Sequence, residues 1–300
     1  MTHLTEAVSH FSPEFPLYRE VPLSPYTSWR VGGPADYFFQ PENSTQLYQG
    51  LQFAIRNSIP WFILGRGSNV LFPEEGYRGL VIQMGSRYSR LALSTTGHNV
   101  RVLSGLPVSK LARIESPSGT QPLSFLGGIP GSVGGAIVMN AGAVGKEISD
   151  FLVSIRYLDE SGHVWEVGPN ECGFDYRTSL FQDSTHIIMD AELRLPMTGQ
   201  GLSLTDLLKE RSRKLPLGLP SAGCVFKNPD EYELSAGELI DRAGCKGWRI
   251  GDAMVSEKHA NFILNLGSAR SRDILRLIDS VRERVYKQFG VALNREIQMV

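Results

Sequence analysis

The sequence predicts an α+β protein divided into two or three domains. Its 300 residues are more than a single hydrophobic core usually organises. Short apolar runs of strand length are interspersed with amphipathic segments of helical period. Two glycine-dense segments, around residues 65–69 and 127–142, interrupt these elements in the first half of the chain. The hydrophobic fraction of 42% and the charged fraction of 20% are those of an ordinary globular protein.

Residues 1–85 are predicted to contain an N-terminal arm and a first αβ domain. Residues 1–23 show no periodicity and are interpreted as an irregular arm. The domain that follows, residues 24–85, is expected to have strands at 35–40, 60–64 and 80–84 and a helix at 43–58. One face of that helix is apolar and consists of Leu47, Leu51, Ala54 and Ile55.

Residues 86–196 are predicted to form a second, β-rich domain. Its strands are expected at 91–95, 100–104, 152–158, 164–167 and 187–195. A turn around Gly97 joins the first two strands, and a hairpin joins the next two. The segment 196–201, which is rich in glycine and begins with proline, is the best candidate for a linker, so we place a domain boundary there.

Residues 202–300 are predicted to form a third domain, in which helix and strand alternate. Its clearest helix spans 271–289, with Ser271 as the expected N-cap and Gly290 as the expected C-terminal stop. A final strand is predicted over 291–300. The apolar face of the helix consists of Ile274, Leu277, Ile278, Val281 and Val285.

Composition and charge argue against several classes of function. The formal net charge is −1, so no overall field attracts nucleic acid or an anionic membrane. The first residues lack the basic and apolar segments of a signal peptide, and no run of about 18 apolar residues is present to span a membrane. The three cysteines are widely spaced and form no CxxC pair, which argues against a disulfide framework and a zinc site. We therefore expect a cytoplasmic protein that binds no metal.

The first glycine-rich segment, Gly65-Arg-Gly-Ser-Asn69, follows a predicted buried strand. Successive backbone N–H groups in such a turn form a concavity that suits a pyrophosphate. The segment begins like a dinucleotide-binding GxGxxG, but Val70 replaces the third glycine and Pro73 prevents a helix from following directly. A Rossmann site is therefore disfavoured. Taken alone, such a loop is more often a structural turn than a ligand site.

The second glycine-rich segment has five glycines in the ten residues 127–136. Their absent side chains allow a flat or bulky group to approach the backbone. Asn140-Ala-Gly142 extends this surface of small residues. Close packing between helices is the alternative explanation, although a globular core rarely needs so many glycines.

Chemically reactive side chains lie in three other segments. Ser221-Ala-Gly-Cys-Val-Phe-Lys-Asn-Pro229 contains a thiol, Cys224, that is a candidate proton donor or nucleophile. A lone cysteine is more often a small buried hydrophobe. Tyr176-Arg-Thr-Ser179 offers a cation and Asn294-Arg-Glu296 a carboxylate, and each alone is most simply a solvated surface.

Taken in chain order, these segments closely resemble the UDP-N-acetylenolpyruvoylglucosamine reductases of peptidoglycan synthesis, the MurB family. The resemblance runs from about residue 20 to the C-terminus, and the chain lacks the tyrosine-bearing insertion of one branch, so it is similar to the shorter, type II branch. The matching motifs are TSWRVGG (27–33), LGRGSN (64–69), GIPGSVGG (128–135), YRTS (176–179), SAGCVFKNP (221–229) and residues 247–261.

The resemblance implies a two-subdomain FAD-binding fold of the PCMH/VAO type, followed by an α+β substrate-binding domain. It also implies FAD as cofactor and NADPH as co-substrate. The FAD is expected to be noncovalent, because neither flavin loop contains a histidine or a cysteine. The implied cofactor-binding residues are Gly65, Arg66, Gly67, Ser68, Asn69, Gly128, Ile129, Gly131, Ser132, Gly135, Asn140 and Gly142.

The implied reaction is the reduction of UDP-N-acetylglucosamine enolpyruvate to UDP-N-acetylmuramate. A hydride reaches C3 of the enolpyruvyl group, Arg177 and Glu296 stabilise the charge that develops at C2 and its carboxylate, and Cys224 protonates C2. The family usually has serine at this position. A thiol is a stronger acid, with a reference pKa of about 8.5, but it is sensitive to oxidation and alkylation. The implied substrate-binding residues are Tyr176, Arg211, Lys214, Lys227 and Asn228.

Two other functions remain open from the sequence. Another FAD-dependent oxidoreductase of the same fold, acting on an alcohol or a sugar, would explain the flavin loops but not Arg177, Cys224 and Glu296 in their family contexts. A catalytically inactive, flavin- or nucleotide-binding regulator would bind FAD without turnover. We expect a monomer that acts on a UDP-sugar, with no nucleic-acid partner and no membrane insertion.

Overall fold

A computed structural model describes residues 15–300 except residues 90, 94–97, 117 and 197–202, and residues 91–93 by their backbone alone. The predicted turn around Gly97 and nearly all of the predicted linker 196–201 lie outside the described residues. The strands are β1 (Leu17–Pro22), β2 (Pro34–Phe39), β3 (Trp61–Leu64), β4 (Val70–Leu71), β5 (Tyr77–Gln83), β6 (Leu91–Leu93), β7 (Asn99–Leu103), β8 (Gly142–Ala143), β9 (Lys146–Glu147), β10 (Leu152–Leu158), β11 (Val164–Val167), β12 (Ile187–Arg194), β13 (Arg249–Ile250), β14 (Ala253–Val255), β15 (Ile263–Asn265) and β16 (Gln298–Met299). The α-helices are α1 (Ser44–Arg56), α2 (Val108–Leu111), α3 (Val133–Val138), α4 (Leu204–Lys214), α5 (Ala236–Arg242) and α6 (Ser271–Phe289).

The first sheet has the strand order β1-β2-β5-β3. Its strands β2, β5 and β3 are parallel, and α1 connects β2 to β3 as parallel strands require. The Asn43 side chain caps α1 by accepting a hydrogen bond from the Gln46 N–H at 2.9 Å. Three residues of the predicted apolar face, Leu47, Leu51 and Ala54, are fully buried against the sheet, as the 3.6-residue period indicates.

The prediction of an irregular arm is wrong for residues 17–22, which form β1 and pair antiparallel with β2. Residues 1–14 lie outside the described part of the chain. Only Leu17 and Val21 of the strand are buried. Because Arg19, between them on the same face, is polar and exposed, the segment lacks the alternation of apolar residues that would have predicted a strand.

The second sheet has the order β11-β10-β12-β7-β6. Strands β10 and β11 have the predicted bounds and form the predicted antiparallel hairpin. On β12, Asp190 is fully buried and accepts hydrogen bonds from Arg101 Nη1 at 2.9 Å and from Arg156 Nη2 at 2.6 Å. This ion-pair cluster joins β7, β10 and β12 across one face of the sheet.

The third region packs α5 and α6 against the small sheet β13-β14-β15. Helix α6 has the predicted bounds, its predicted apolar face is buried, and Gly290 ends it with a left-handed φ of +72°. The prediction of Ser271 as the N-cap is wrong, because Arg270 is the N-cap and Ser271 is buried in the first turn. The Asp273 carboxylate accepts a hydrogen bond from the Arg270 N–H at 3.2 Å and so satisfies this backbone donor at the start of the helix.

The prediction of one continuous strand over 291–300 is also wrong, because this segment changes its partner. The N–H of Lys227 donates to the carbonyl of Asn294 at 2.9 Å. Farther along, β16 pairs in parallel with β4, in the first part of the chain. The end of the chain therefore joins the third region to the first.

A buried tryptophan makes a second connection between these regions. Trp29 is fully buried, donates its indole N–H to the carbonyl of Ile263 at 2.7 Å and accepts from the Asn265 amide at 2.8 Å through its own carbonyl.

Among the helices that the structure describes, none combines the length and the apolar character needed to cross a membrane. Within the same residues, no group of three His, Cys, Asp or Glu side chains is placed to hold a metal ion.

Candidate active site

The first glycine loop, residues 65–69, follows β3 and turns through Gly67, whose φ is +63°. A Cβ at Gly67 would lie 2.1 Å from the carbonyl oxygen of Tyr26, so no side chain fits there. The N–H of Ser28 donates to the carbonyl of Gly67 at 2.8 Å and holds the loop against this neighbouring segment. The loop is therefore fixed by a close backbone approach that only glycine allows.

The second glycine loop, residues 127–136, contacts the first. The Ser68 hydroxyl donates to the carbonyl of Pro130 at 3.2 Å, and a Cβ at Gly65 would lie 2.5 Å from Ser132 Oγ. Ser132 also caps the short helix α3, accepting the Gly135 N–H at 3.3 Å. The two loops, separated by about sixty residues of sequence, thus form one continuous surface of backbone.

This surface fits an FAD. Gly135 is exposed while its neighbour Gly134 is buried, and Gly128 and Gly131 have positive φ values of +75° and +135°. Backbone N–H groups without side chains around them allow a pyrophosphate or a flat ring to approach closely. Of the other predicted cofactor residues in these loops, Ile129 is half-buried against the hydrophobic core of the second sheet, and Arg66 is exposed.

The backbone of Glu296 is held by contacts with two separate segments. The Glu296 N–H donates to the carbonyl of Val225 at 2.8 Å, and the Glu296 carbonyl accepts from Asn69 Nδ2 at 3.0 Å. The first bond aligns the chain end with the segment that contains Cys224, and an isolated bridge between Phe226 and Arg295 continues this alignment. Asn69, which the sequence predicts as a cofactor contact, therefore also connects the first glycine loop to Glu296.

Arg177 lies in a tight turn over residues 175–178, closed by the Thr178 N–H donating to the Asp175 carbonyl at 3.0 Å. Its φ is +52°, in the left-handed region. A non-glycine residue there costs about 1–2 kcal/mol. Such a turn position more often contains glycine or asparagine than arginine.

The side chain of Arg177 reaches Glu296. Its Nε donates to Glu296 Oε1 at 3.1 Å, its Nη2 donates to the carbonyl of Gly142 at 3.2 Å, and the ring of Tyr176 lies 5.1 Å from its guanidinium carbon. The two charged side chains are only 21% and 18% exposed. Burial raises the pKa of Glu296, while Arg177 and Lys227 act in the opposite direction.

Cys224 lies within the electrostatic reach of this pair. Burial raises the pKa of its thiol to about 12, Glu296 acts in the same direction, and Arg177 and Arg211 oppose the rise. The thiol is consequently protonated at neutral pH, which is the form that a proton donor needs. The scarcity of thiolate counts against the sensitivity to alkylation expected from the sequence.

A polar cavity of about 320 Å³ opens beside these residues. Three of the predicted substrate-binding residues, Tyr176, Lys227 and Asn228, line it. Asn228 Oδ1 accepts the Ala236 N–H at 3.0 Å, which ties the cavity wall to α5. The complete lining is Asp175, Tyr176, Thr178, Lys227, Asn228, Pro229, Asp230 and Asn294.

The other two predicted substrate-binding residues are on α4 and do not line this cavity. Arg211 packs on the second glycine loop, with its Cδ 3.0 Å from the position of a Cβ on Gly128, and its buried Nε has no hydrogen-bond partner among the described residues. Burial lowers the pKa of Arg211, and Cys224 opposes this effect. Lys214 is exposed and pairs with Glu210 on the same helix at 2.6 Å, so its contact with a substrate stays a prediction.

Asn140, a predicted cofactor residue, is fully buried and has a φ of +41°. Its Nδ2 donates to Glu147 Oε2 at 2.6 Å and to the carbonyl of Asp175 at 3.1 Å. The amide of Asn140 thus helps to hold the turn that contains Arg177. A contact between Asn140 and the cofactor stays a prediction. Gly142, two residues later, offers its carbonyl to Arg177.

Sequence reasoning missed Gln182, whose Nε2 donates to the carbonyl of Arg177 at 2.7 Å. It also missed the cavity-lining residues Asp175, Thr178, Asp230 and Asn294. Thr178 and Asn294 lie within segments that the sequence did reveal, and Asp175 and Asp230 directly flank such segments, so their position was an available signal. Gln182 had no such signal, because its contact arises only when the chain folds back on the turn.

Comparisons with known proteins show two family matches along the chain. Residues 35–168 match the family model of an FAD binding domain, and residues 215–300 match that of the UDP-N-acetylenolpyruvoylglucosamine reductase C-terminal domain. The first match contains both glycine loops, and the second contains Cys224 and Glu296. Together they cover most of the chain.

Two relatives and one solved structure are similar to this chain over nearly its whole length. UDP-N-acetylenolpyruvoylglucosamine reductase of Alkaliphilus oremlandii is 38% identical over 298 residues, which are 98% of this chain and 97% of that protein. The reductase 2 of Symbiobacterium thermophilum is 41% identical over 94% of this chain and 91% of its own length. The crystal structure of the Thermus caldophilus reductase has a TM-score of 0.76 and 33% identity, and the match covers 95% of this chain and 98% of that one.

Proposed function

The chain belongs to the UDP-N-acetylenolpyruvoylglucosamine reductase family, and on that premise we propose that it reduces UDP-N-acetylglucosamine enolpyruvate to UDP-N-acetylmuramate for peptidoglycan synthesis. NADPH is the proposed co-substrate and FAD the proposed cofactor, held noncovalently by the two glycine loops. FAD held there and reduced by NADPH would supply the hydride that reaches C3 of the substrate.

One observation above all supports this proposal: a guanidinium, a carboxylate and a protonated thiol from three distant segments meet beside the glycine loops. Arg177 and Glu296 are hydrogen-bonded at 3.1 Å, and both act electrostatically on Cys224. An oxidoreductase that removes hydride from an alcohol needs a base, whereas reduction of an enolpyruvyl ether needs an acid. A protonated thiol can supply that proton but cannot act as the base, so Cys224 beside the Arg177–Glu296 pair favours the reductase over the alcohol- or sugar-oxidising alternative.

Each of the three side chains has a distinct proposed role. As hydride adds at C3, negative charge develops at C2 and in the adjacent carboxylate, and the fixed guanidinium of Arg177 stabilises it. Glu296 holds that guanidinium in place through its Nε. Cys224 then donates its proton to C2, a step that typically contributes about 10²–10⁴-fold to the rate.

The polar cavity is the proposed site of the UDP portion. Lys227 lines it with an ammonium that suits a diphosphate, and Asn228 and the Tyr176 hydroxyl add hydrogen-bonding groups. Arg211 and Lys214 on α4 are proposed to complete the substrate contacts.

We also propose a cytoplasmic location and a monomeric state. The three free cysteines are compatible with a reducing compartment.

An anaerobic experiment on the FAD-loaded protein tests this function. The flavin is first reduced with one equivalent of NADPH, and UDP-N-acetylglucosamine enolpyruvate is then added. Return of the visible flavin absorption is expected, because electrons pass to the substrate. If an alcohol or sugar instead reduces the oxidised flavin and the enolpyruvyl compound has no effect, the alternative oxidoreductase is correct. Binding of FAD without either reaction would indicate the inactive regulator.

A further inference from the structure

The backbone carbonyl of Arg177 receives two hydrogen bonds from side chains outside its turn. Lys227 Nζ donates to it at 3.1 Å and Gln182 Nε2 donates at 2.7 Å. Arg177 has a left-handed φ of +52°, a conformation that costs a non-glycine residue about 1–2 kcal/mol. The two donors fix the direction of this carbonyl and thereby the conformation that aims the side chain.

Gln182 differs from Lys227 in its relation to the cavity. Lys227 lines the cavity, so its replacement would disturb ligand contacts as well as the turn. Gln182 is absent from the cavity lining and is half-buried, with its Nε2 also 3.2 Å from the sulfur of Met139. Both hydrogens of its amide are therefore directed at protein atoms.

We infer that Gln182 is a positioning residue for the reduction: it holds Arg177 in the left-handed conformation that places the guanidinium against Glu296. Without this donor the carbonyl of Arg177 loses one of its two partners, and the residue can relax toward an ordinary φ. A guanidinium that moves by about 1 Å loses much of its effect on a developing charge. The inference rests on the proposed function for its kinetic consequence but not for its structural one.

The kinetic test is a double-mutant cycle of Gln182→Leu with Arg177→Lys. Gln182→Leu alone is expected to lower kcat about tenfold, as loss of one hydrogen bond allows, while NADPH reduces the bound flavin at the wild-type rate. In the Arg177→Lys background it is expected to cause almost no further loss, because the residue through which it acts has been changed. The same factor in both backgrounds would show a general structural role and overturn the inference.

Three further variants serve as controls. Gln288→Leu removes a comparable bond, from a glutamine to the carbonyl of Arg242 at 3.1 Å, far along the chain on α6, and should leave kcat unchanged. Gln182→Lys keeps a donor and should retain most activity, whereas Gln182→Glu keeps the shape without the donor and should not. Equal activity of these last two variants would contradict the inference even if Gln182→Leu fails to fold.

A crystal structure of Gln182→Leu provides a readout that does not depend on activity. The inference predicts that Arg177 leaves its left-handed φ or that its contact with Glu296 lengthens beyond hydrogen-bonding distance. An unchanged turn and an unchanged 3.1 Å contact would refute the inference. If the wild-type protein shows no reductase activity, the proposed function fails, but this structural result still decides the role of Gln182.

Discussion

Cys224 of the ligand-free protein is expected to react slowly with iodoacetamide. Alkylation requires the thiolate, and burial together with the charge of Glu296 raises the pKa of this thiol from 9.0 to about 12. At pH 8 an unperturbed thiol of this kind would be about one tenth ionised, whereas Cys224 would be about one ten-thousandth ionised. The expected rate is therefore about 10³-fold below that of an exposed cysteine.

The measurement is the time course of adduct formation at each cysteine, followed by peptide mass spectrometry between pH 7 and pH 10. The rate at Cys224 should rise about tenfold for each pH unit across this range without a plateau, because the pKa lies above it. Cys172 and Cys245 are internal controls: both are fully buried and therefore inaccessible to the reagent, so they should remain unlabelled although the pKa of each, about 11, is lower than that of Cys224. In urea all three should react at the rate of a free thiol.

A plateau near pH 9 would refute this reasoning. So would labelling of Cys224 at pH 8 within about tenfold of its rate in urea, because the thiolate would then be far more abundant than the structure implies. Either result would mean that Arg177 and Arg211, which lower the pKa of this thiol, outweigh burial.

Three further predictions concern catalysis and stability. Cys224→Ala should lower kcat by about 10²–10⁴-fold while NADPH still reduces the flavin, and Cys224→Ser should keep appreciable activity; stopped-flow absorbance separates the two steps, and normal turnover by the alanine variant would exclude the thiol as donor. The pKa of Glu296 is raised by burial, so kcat should fall on the acid side at a pH above the usual carboxyl range of about 4.3, as protonation removes the partner of Arg177. This acid limb should vanish in Glu296→Gln, and its persistence in a pH–rate profile of that variant would assign it to another group. Asp190→Ala should lower the free energy of unfolding by about 2 kcal/mol in urea titrations, because it removes a fully buried acceptor of charged hydrogen bonds from Arg101 and Arg156. Glu283→Ala, which breaks an exposed pair on α6, should cost less than about 0.5 kcal/mol, and equal losses would contradict the importance of burial.

Local sequence patterns predicted those elements whose residues contact each other within a short stretch of chain. The hairpin of β10 and β11 has the predicted bounds because its strands and turn are contiguous. Helix α6 also has the predicted bounds, since its apolar period and its terminal glycine are both local signals. The glycine loops were likewise identified from local composition.

Features that depend on partners far apart in sequence could not be predicted in this way. The last ten residues have the sequence pattern of one strand. They pair first with the segment around Val225 and then with β4, and this change of partner is determined by tertiary structure. The left-handed turn at Arg177 lacks the glycine or asparagine that normally signals it. Its supporting contacts from Asn140 and Gln182 depend on that turn, so the sequence offered no sign of them.

Family resemblance supplied what the local patterns lacked in the site. It connected Arg177, Cys224 and Glu296, which are separated by up to 119 residues, and the structure brings their side chains together. It did not indicate how they are held. The bond from Asn69 to the backbone of Glu296 and the turn around Arg177 emerge from the fold alone.

The most direct test of the proposed function is NADPH consumption by the purified, FAD-loaded protein with and without UDP-N-acetylglucosamine enolpyruvate, combined with NMR identification of the product. The account predicts oxidation that depends on this substrate, with one lactyl ether formed for each NADPH consumed. Oxidation at the same rate without the substrate, or disappearance of NADPH with the enolpyruvyl group intact, would contradict it.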